Sequence, residues 1–419
     1  MEVLNEWADA VAEDERAGQI EEVRELLMWP KDARAQGPDG AWVWVKPPLK
    51  VPENLEIIFL RDPLFCDHLY RDDFTGRVLF HGREVSDTIL TDIRLSISRT
   101  YGVRFSAAQV HELINYAAEK LARHPVREWL EGLRWDGKPR ISSLLSTYAG
   151  AEETELHTTV SRRFMISCVA RIMHPGCKVD TVLILAGPQG YGKSTWFSAL
   201  AGEGWFKDDP IDIRNKDAKM ALRGVWIYEM AELSSMKPRD AETVKAFLSQ
   251  RTDRYRPPYG RTEVEQPRQC VFVGTTNEPS FLNDPTGARR FWPVEVKRMP
   301  DVARTAADRD QLWAEAVEAY RAHERWWLEL NESDALMEAQ EQYQHVDPWQ
   351  AHIEGYIESG PPRLEGWTVE DLLGGALDRD KDKQSKADEM RIGGILTRLG
   401  FVKRRVQVGG KRRWRWFND

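Results

Sequence analysis

Gly187-Pro188-Gln189-Gly190-Tyr191-Gly192-Lys193-Ser194 follows the apolar run Val182-Leu183-Ile184-Leu185 and precedes Thr195-Trp196-Phe197-Ser198-Ala199-Leu200. The eight residues fit the pattern G-x-x-x-x-G-K-[ST], with a buried strand expected before them and a helix after. In that setting backbone N–H groups of the turn wrap phosphate oxygens, and the helix N-terminus adds its positive dipole end. Residues 187–195 are therefore the expected phosphate-binding segment. Lys193, read as an exposed lysine, reaches the β- and γ-phosphates, and the Ser194 hydroxyl helps to hold Mg²⁺. The expected ligands are ATP and Mg²⁺.

The chain has 419 residues, 30% of them charged, with a net charge of −8. That is room for several domains, and the sign excludes a uniformly basic nucleic-acid coat. The charge is uneven: residues 1–29 carry nine acids against two arginines, and residues 401–419 carry seven basic residues against one acid. A basic binding element at the C-terminal end follows. Cys66, Cys168, Cys177 and Cys270 show no C-x-x-C spacing, so neither a zinc ribbon nor a disulfide framework is expected. An acidic start and the lack of any stretch approaching 18 apolar residues predict a soluble intracellular protein with no membrane partner.

The fold class that emerges is α/β. Residues 1–52 read as an acidic amphipathic helix ending near Pro30 and then a linker. Residues 53–155 form a mixed, mainly helical N-terminal domain, in which Ser106 caps a helix with Val110, Leu113, Ile114, Ala117 and Leu121 on one face. Residues 156–300 alternate strands and helices as a nucleotide-binding core, 301–347 continue it (helical over 308–345), and 348–419 close with helices and a hairpin.

Four further segments carry chemistry. The strand Val225-Trp226-Ile227-Tyr228-Glu229 ends in an acid suited to Mg²⁺ or the attacking water, and Glu232 either shares that task or is an ordinary helix-start charge. Cys270-Val271-Phe272-Val273-Gly274-Thr275-Thr276-Asn277 is a second strand whose tip, Asn277, can orient water. Arg289 and Arg290 suit an arginine finger, which in a neighbouring subunit's site requires a ring or filament, and a surface salt-bridging pair is the plainer reading. Basic and aromatic residues also interleave around Arg254, Arg256, Tyr259 and Arg261, and again at Arg412, Arg413, Trp414, Arg415 and Trp416. Both segments suit nucleic acid, through phosphate contacts and base stacking. A solvated hairpin and a charged edge strand are the plainer readings of each.

Taken together, these segments resemble the virulence-associated protein E family of phage and mobile-element proteins. The resemblance runs from about His124 to Asp347. It includes His124-Pro125-Val126-Arg127-Glu128-Trp129-Leu130, Arg134-Trp135-Asp136-Gly137-Lys138-Pro139-Arg140 and Pro175-Gly176-Cys177-Lys178-Val179-Asp180. Glu229-Met230-Ala231-Glu232-Leu233, Arg256-Pro257-Pro258-Tyr259-Gly260 and Arg289-Arg290-Phe291-Trp292-Pro293 match as well. The resemblance implies a superfamily 3 helicase with an AAA+ P-loop core, an ATP-driven motor that translocates DNA as a hexameric homo-oligomer with single-stranded and duplex DNA as partners. It also implies a phage or prophage protein in the cytoplasm of a bacterial host, a separate primase or replication initiator as partner, and a C-terminal winged helix. The alternative is an origin-binding or assembly protein switched by ATP. A small-molecule kinase is disfavoured, since no lid or acceptor site is apparent.

Overall fold

The computed structural model describes residues 13–419 except 203, 214, 216, 231–237, 257–262, 279–287, 342, 344–346, 361, 362, 364, 381–383, 409, 410 and 419. Its centre is a sheet of five strands: β1 (Val182–Ala186), β2 (Phe206–Lys207), β3 (Ile227–Met230), β4 (Val271–Thr276) and β5 (Phe291–Glu295). They lie in the order β5-β1-β4-β3-β2, and every pairing is parallel. Parallel strands must be covered on both faces, so they read as continuous apolar runs, and every residue of β1 and β3 is buried.

Leu183, Leu185, Val273 and Trp292 pack beneath helices α1 (Glu155–Met173), α2 (Lys193–Ala201) and α3 (Val302–Arg321). Val182, Ile184, Tyr228 and Phe272 meet Val244, Phe247 and Leu248 of the helix Pro238–Leu248 on the other face. Trp196, Trp226, Trp292 and Trp313 are among the largest fully buried side chains. Each removes roughly 150–250 Å² from water, about 4–6 kcal/mol as an upper bound by area. Three of these indoles are satisfied: Trp196 donates to Thr305 Oγ1, Trp226 to Cys168 O and Trp313 to Leu200 O. The fourth, Trp292, has no partner for Nε1 among the described residues.

Between β3 and β4 the chain forms an antiparallel hairpin, Thr252–Tyr255 against Val264–Pro267. Its root is fixed by a buried ion pair. Arg268 Nε and Nη2 donate to the two carboxylate oxygens of Asp253 at 2.9 and 2.6 Å, with side chains 0% and 4% exposed. The guanidinium also lies 4.8 and 5.4 Å from the ring centroids of Phe247 and Phe272. Loss of either ionic partner strands a charge in the core, at a cost of roughly 3–5 kcal/mol. Because Arg268 leads within three residues into β4, the hairpin is rooted beside the central strand of the sheet.

The N-terminal region has its own core, in which Val23 and Leu27 pack with Leu55, Ile58, Ile93, Ile97, Val110 and Ile114. Ser106 caps the helix Ala107–Lys120 through a reciprocal capping box with Gln109. The stretch expected as a linker instead carries a short hairpin, Arg34–Gln36 against Trp42–Trp44, with Trp44 stacked on Trp29 at 3.6 Å. Gly37, Pro38 and Gly40 form its turn, and strands only three residues long leave too little alternation to read. The stretch expected to be helical over 308–345 consists of two helices, α3 and α4 (Leu330–Glu341), joined by a turn in which Trp326 and Trp327 fall. At the C-terminal end, helices Pro348–Ser359, Val369–Gly375 and Lys386–Arg398 precede a hairpin of Phe401–Val408 against Lys411–Asn418. They share a small core of Ile353, Trp367, Leu372, Ile392, Leu396 and Trp416. No helix among the described residues is long and apolar enough to cross a membrane.

Candidate active site

Residues 187–192 turn the chain from the end of β1 into α2. Gly190 and Gly192 take left-handed backbone angles, φ 82° and 76°, which side-chain-bearing residues rarely adopt. A Cβ on Gly187 would meet the Val296 carbonyl oxygen at 2.9 Å. No side chain caps α2, so its leading N–H groups face the turn without an internal acceptor. Pro188, Gln189, Gly190 and Thr195 are exposed, and Tyr191 is half-buried against the core.

Lys193 is not the exposed lysine expected from sequence; it is only 6% exposed. Its ammonium donates to Gly187 O at 2.7 Å, Pro188 O at 2.8 Å and Asn277 Oδ1 at 3.0 Å. Burial pushes its pKa down, and the nearby Glu229 carboxylate opposes that. The β5-β1-β4-β3-β2 order explains the contact with Asn277: β4 lies between β1 and β3, so its tip stands beside the glycine turn.

Glu229 sits in β3, 2% exposed. Its Oε1 accepts from Ser194 Oγ at 2.8 Å and from Thr275 Oγ1. Its Oε2 is buried and has no partner among the described residues. Burial is the main cause of its raised pKa, with the Thr275 and Ser194 hydroxyls pulling the other way. A serine hydroxyl touching a carboxylate that keeps one oxygen bare is a donor set that fits a hard cation such as Mg²⁺. Among the described residues no group of three His, Cys, Asp or Glu side chains is placed to hold a metal. Such a cation would have to arrive with phosphate ligands of its own, as Mg²⁺ commonly does. Glu232 lies outside the described residues.

Glu229→Gln should separate stability from turnover. A raised carboxyl pKa means the folded chain holds a proton more tightly than the unfolded one, so this group favours folding at low pH and opposes it as pH rises through the folded value. Against the amide variant, the wild type should therefore lose ground as pH rises above the ordinary carboxylate range. Thermal melts of both proteins across a pH series measure the difference, and a wild type that gains stability on the amide variant as pH rises would contradict it.

Arg289 and Arg290 form a single 3₁₀ turn, Ala288–Arg290, that enters β5. Because Phe291 pairs with Val182, both arginines lie where the strands begin, whereas the glycine turn lies where they end. A five-residue strand puts roughly 13 Å or more between the two edges. Arg290 Nε lies 3.5 Å from Asp180 Oδ2 and 3.3 Å from Ser249 Oγ, and Arg289 is exposed. Neither belongs to its own chain's glycine-turn cluster.

On the hairpin, Arg254 pairs with Glu265 at 2.8 Å and Arg256 is exposed, while Tyr259 and Arg261 lie outside the described residues. At the C-terminus Arg412 and Arg413 are exposed, and strand alternation sends them to opposite faces. Arg415 is held by its own domain: its side chain is 13% exposed, 3.6 Å from Asp371 and bonded to Gly366 O. Two contributors were missed. Thr275 was read only as strand, although β alternation on the segment ending at Asn277 could have flagged a hydroxyl beside Glu229. Lys403 lies 5.5 and 5.6 Å from the rings of Trp414 and Trp416, a cross-strand contact that needs the register to be seen.

A parallel α/β core with a glycine-rich turn at its strand tips and a separate helical and hairpin region beyond it is the class this fold defines. The chain belongs to the virulence-associated protein E-like family, whose domain profile matches residues 130–345. Among solved structures it is similar to the apo structure of the NrS-1 C terminal region, with 14% identity, a TM-score of 0.42, and 88% of this chain and 99% of that one covered. The A form apo structure of that region is similar at 13% identity and a TM-score of 0.49, covering 88% and 100%. No curated protein matches the sequence.

Proposed function

We propose that the chain is an ATP-driven DNA translocase of the superfamily 3 helicase kind, serving phage or mobile-element replication as a hexameric ring. The observation that carries this reading is the convergence at the strand tips. Lys193 meets Asn277, Ser194 meets Glu229, and Glu229 keeps one bare oxygen in a dry setting. A nucleotide-binding switch needs the turn and the lysine; an acid and an amide beside them serve hydrolysis.

In this reading the turn's N–H groups and Lys193 bind the β- and γ-phosphates. Lys193 would exchange its bonds to Gly187 O and Pro188 O for phosphate oxygens, so it arrives already oriented. Ser194 and Glu229 would hold Mg²⁺, which when bound neutralises phosphate charge. Glu229 Oε2 and Asn277 would orient the attacking water, with Glu229 as the acceptor of its proton. Arg289 or Arg290 would serve a neighbouring subunit's site. The hairpin rooted by Arg268 and Asp253 would grip single-stranded DNA, and the C-terminal domain, read as a winged helix, would hold duplex DNA through Arg412 and Arg413.

The test of the DNA grip is a salt titration. Arg256→Ala should weaken single-strand binding alike for all sequences and reduce the salt slope by roughly 0.7 for each lost phosphate contact. Basal hydrolysis should survive while DNA stimulation falls. If truncation after Gly400 stops stepping on preloaded strands and Arg256→Ala does not, the grip lies in the C-terminal domain.

A further inference from the structure

A cavity of about 940 Å³ opens at the edge of the sheet where the strands begin, well away from the glycine turn. Its volume is within the range of small-molecule sites. Three cations line it, Lys178, Arg289 and Arg290, and so does a pair of adjacent tryptophans, Trp326 and Trp327, packed edge to face at 5.2 Å. Trp327 is 50% exposed, a large apolar surface to leave in water. Trp292 also lines the cavity; its side chain is 1% exposed, yet its indole N–H has no partner among the described residues.

The acids present do not cancel the cations. Asp180 is shared between Arg290 at 3.5 Å and Lys178 at 4.0 Å, and Glu329 pairs with Arg325 outside the lining. Trp326 is held in place: its Nε1 donates to Lys178 O at 3.0 Å, and nearby Glu332 is tied to Arg163 of α1 at 2.9 Å. A tryptophan fixed by a hydrogen bond, a neighbouring tryptophan with half its surface bare, and cations in excess of the lining acids define one chemistry. The occupant has a planar ring to stack and negative charge.

We infer that this cavity receives a nucleoside phosphate, with the base against Trp327 and the phosphates against Arg289 and Lys178. Two sources supply that chemistry. One is free nucleotide. The other is the nucleotide held in a second copy's glycine turn, and only this second source rests on the proposed ring. In that case the tryptophan wall gives the paired arginines a companion contact on the neighbour's base.

Photolabelling with 8-azido-ATP, followed by peptide mapping, tests this. Labelling is performed on dilute protein shown to be monomeric by sedimentation and again at concentrations where it assembles. Label in the 326–333 segment of the monomer identifies free nucleotide as the source. Label there only on assembly identifies the second copy. Trp327→Ala should reduce that label at least about fivefold, in line with the loss of a stacked base, whereas Trp42→Ala, an exposed tryptophan elsewhere, should leave it unchanged. Label confined to the glycine-turn peptide at every concentration overturns the inference. Label in 326–333 with none in the glycine turn instead overturns the proposed function and leaves this site standing.

Discussion

Mixing Lys193→Ala protein with Arg289→Ala/Arg290→Ala protein should restore ATP hydrolysis that neither has alone. The expectation follows from the edge of the sheet on which each group sits. Lys193 stands where β1 ends, and the two arginines stand where β5 begins, so one chain cannot bring both to the same phosphate without breaking the sheet. A neighbour can. Loss of an arginine finger costs about 10³–10⁵ in rate. Interfaces pairing an intact Lys193 with an intact arginine pair should therefore recover activity far above either parent's background. Hydrolysis that stays at background after subunit exchange has been demonstrated would remove the shared site.

Lys193→Ala alone should lower hydrolysis by at least about 10²–10³-fold, the scale for removing one electrostatic contact to a developing charge in a water-poor site. The structure adds a second effect. Because Lys193 is buried and its ammonium serves Gly187 O, Pro188 O and Asn277 Oδ1, truncation leaves these acceptors unmet. A loss of roughly 1–3 kcal/mol of stability is expected. Rate measurements paired with denaturant melts separate the two, and a variant that folds like the wild type and still hydrolyses ATP would contradict the role given to the lysine.

The turn and its strand were legible because a backbone that wraps phosphate needs glycine at fixed positions, and a doubly covered parallel strand needs an unbroken apolar run such as Val182–Ala186. The helix after Ser106 was legible for a similarly local reason, its cap and one-sided apolar face. Contacts between distant segments were not. Nothing near Arg268 announces that Asp253 will bury against it, and Thr275 acquires meaning only once β4 is seen to lie beside Glu229. The burial of Lys193 depends on the same packing, since its motif is common to lysines of any exposure. Arg412 and Arg415 look alike in sequence, and only the strand register and Asp371 distinguish a cation facing solvent from one held by its own domain.

The most direct test of the motor reading is the rate of ATP hydrolysis as a function of single-stranded DNA length at fixed nucleotide concentration. A translocating ring predicts stimulation that rises with strand length and then levels off, lost in Glu229→Gln and reduced in Arg256→Ala. A hydrolysis rate that is the same without DNA and with strands of every length would contradict it.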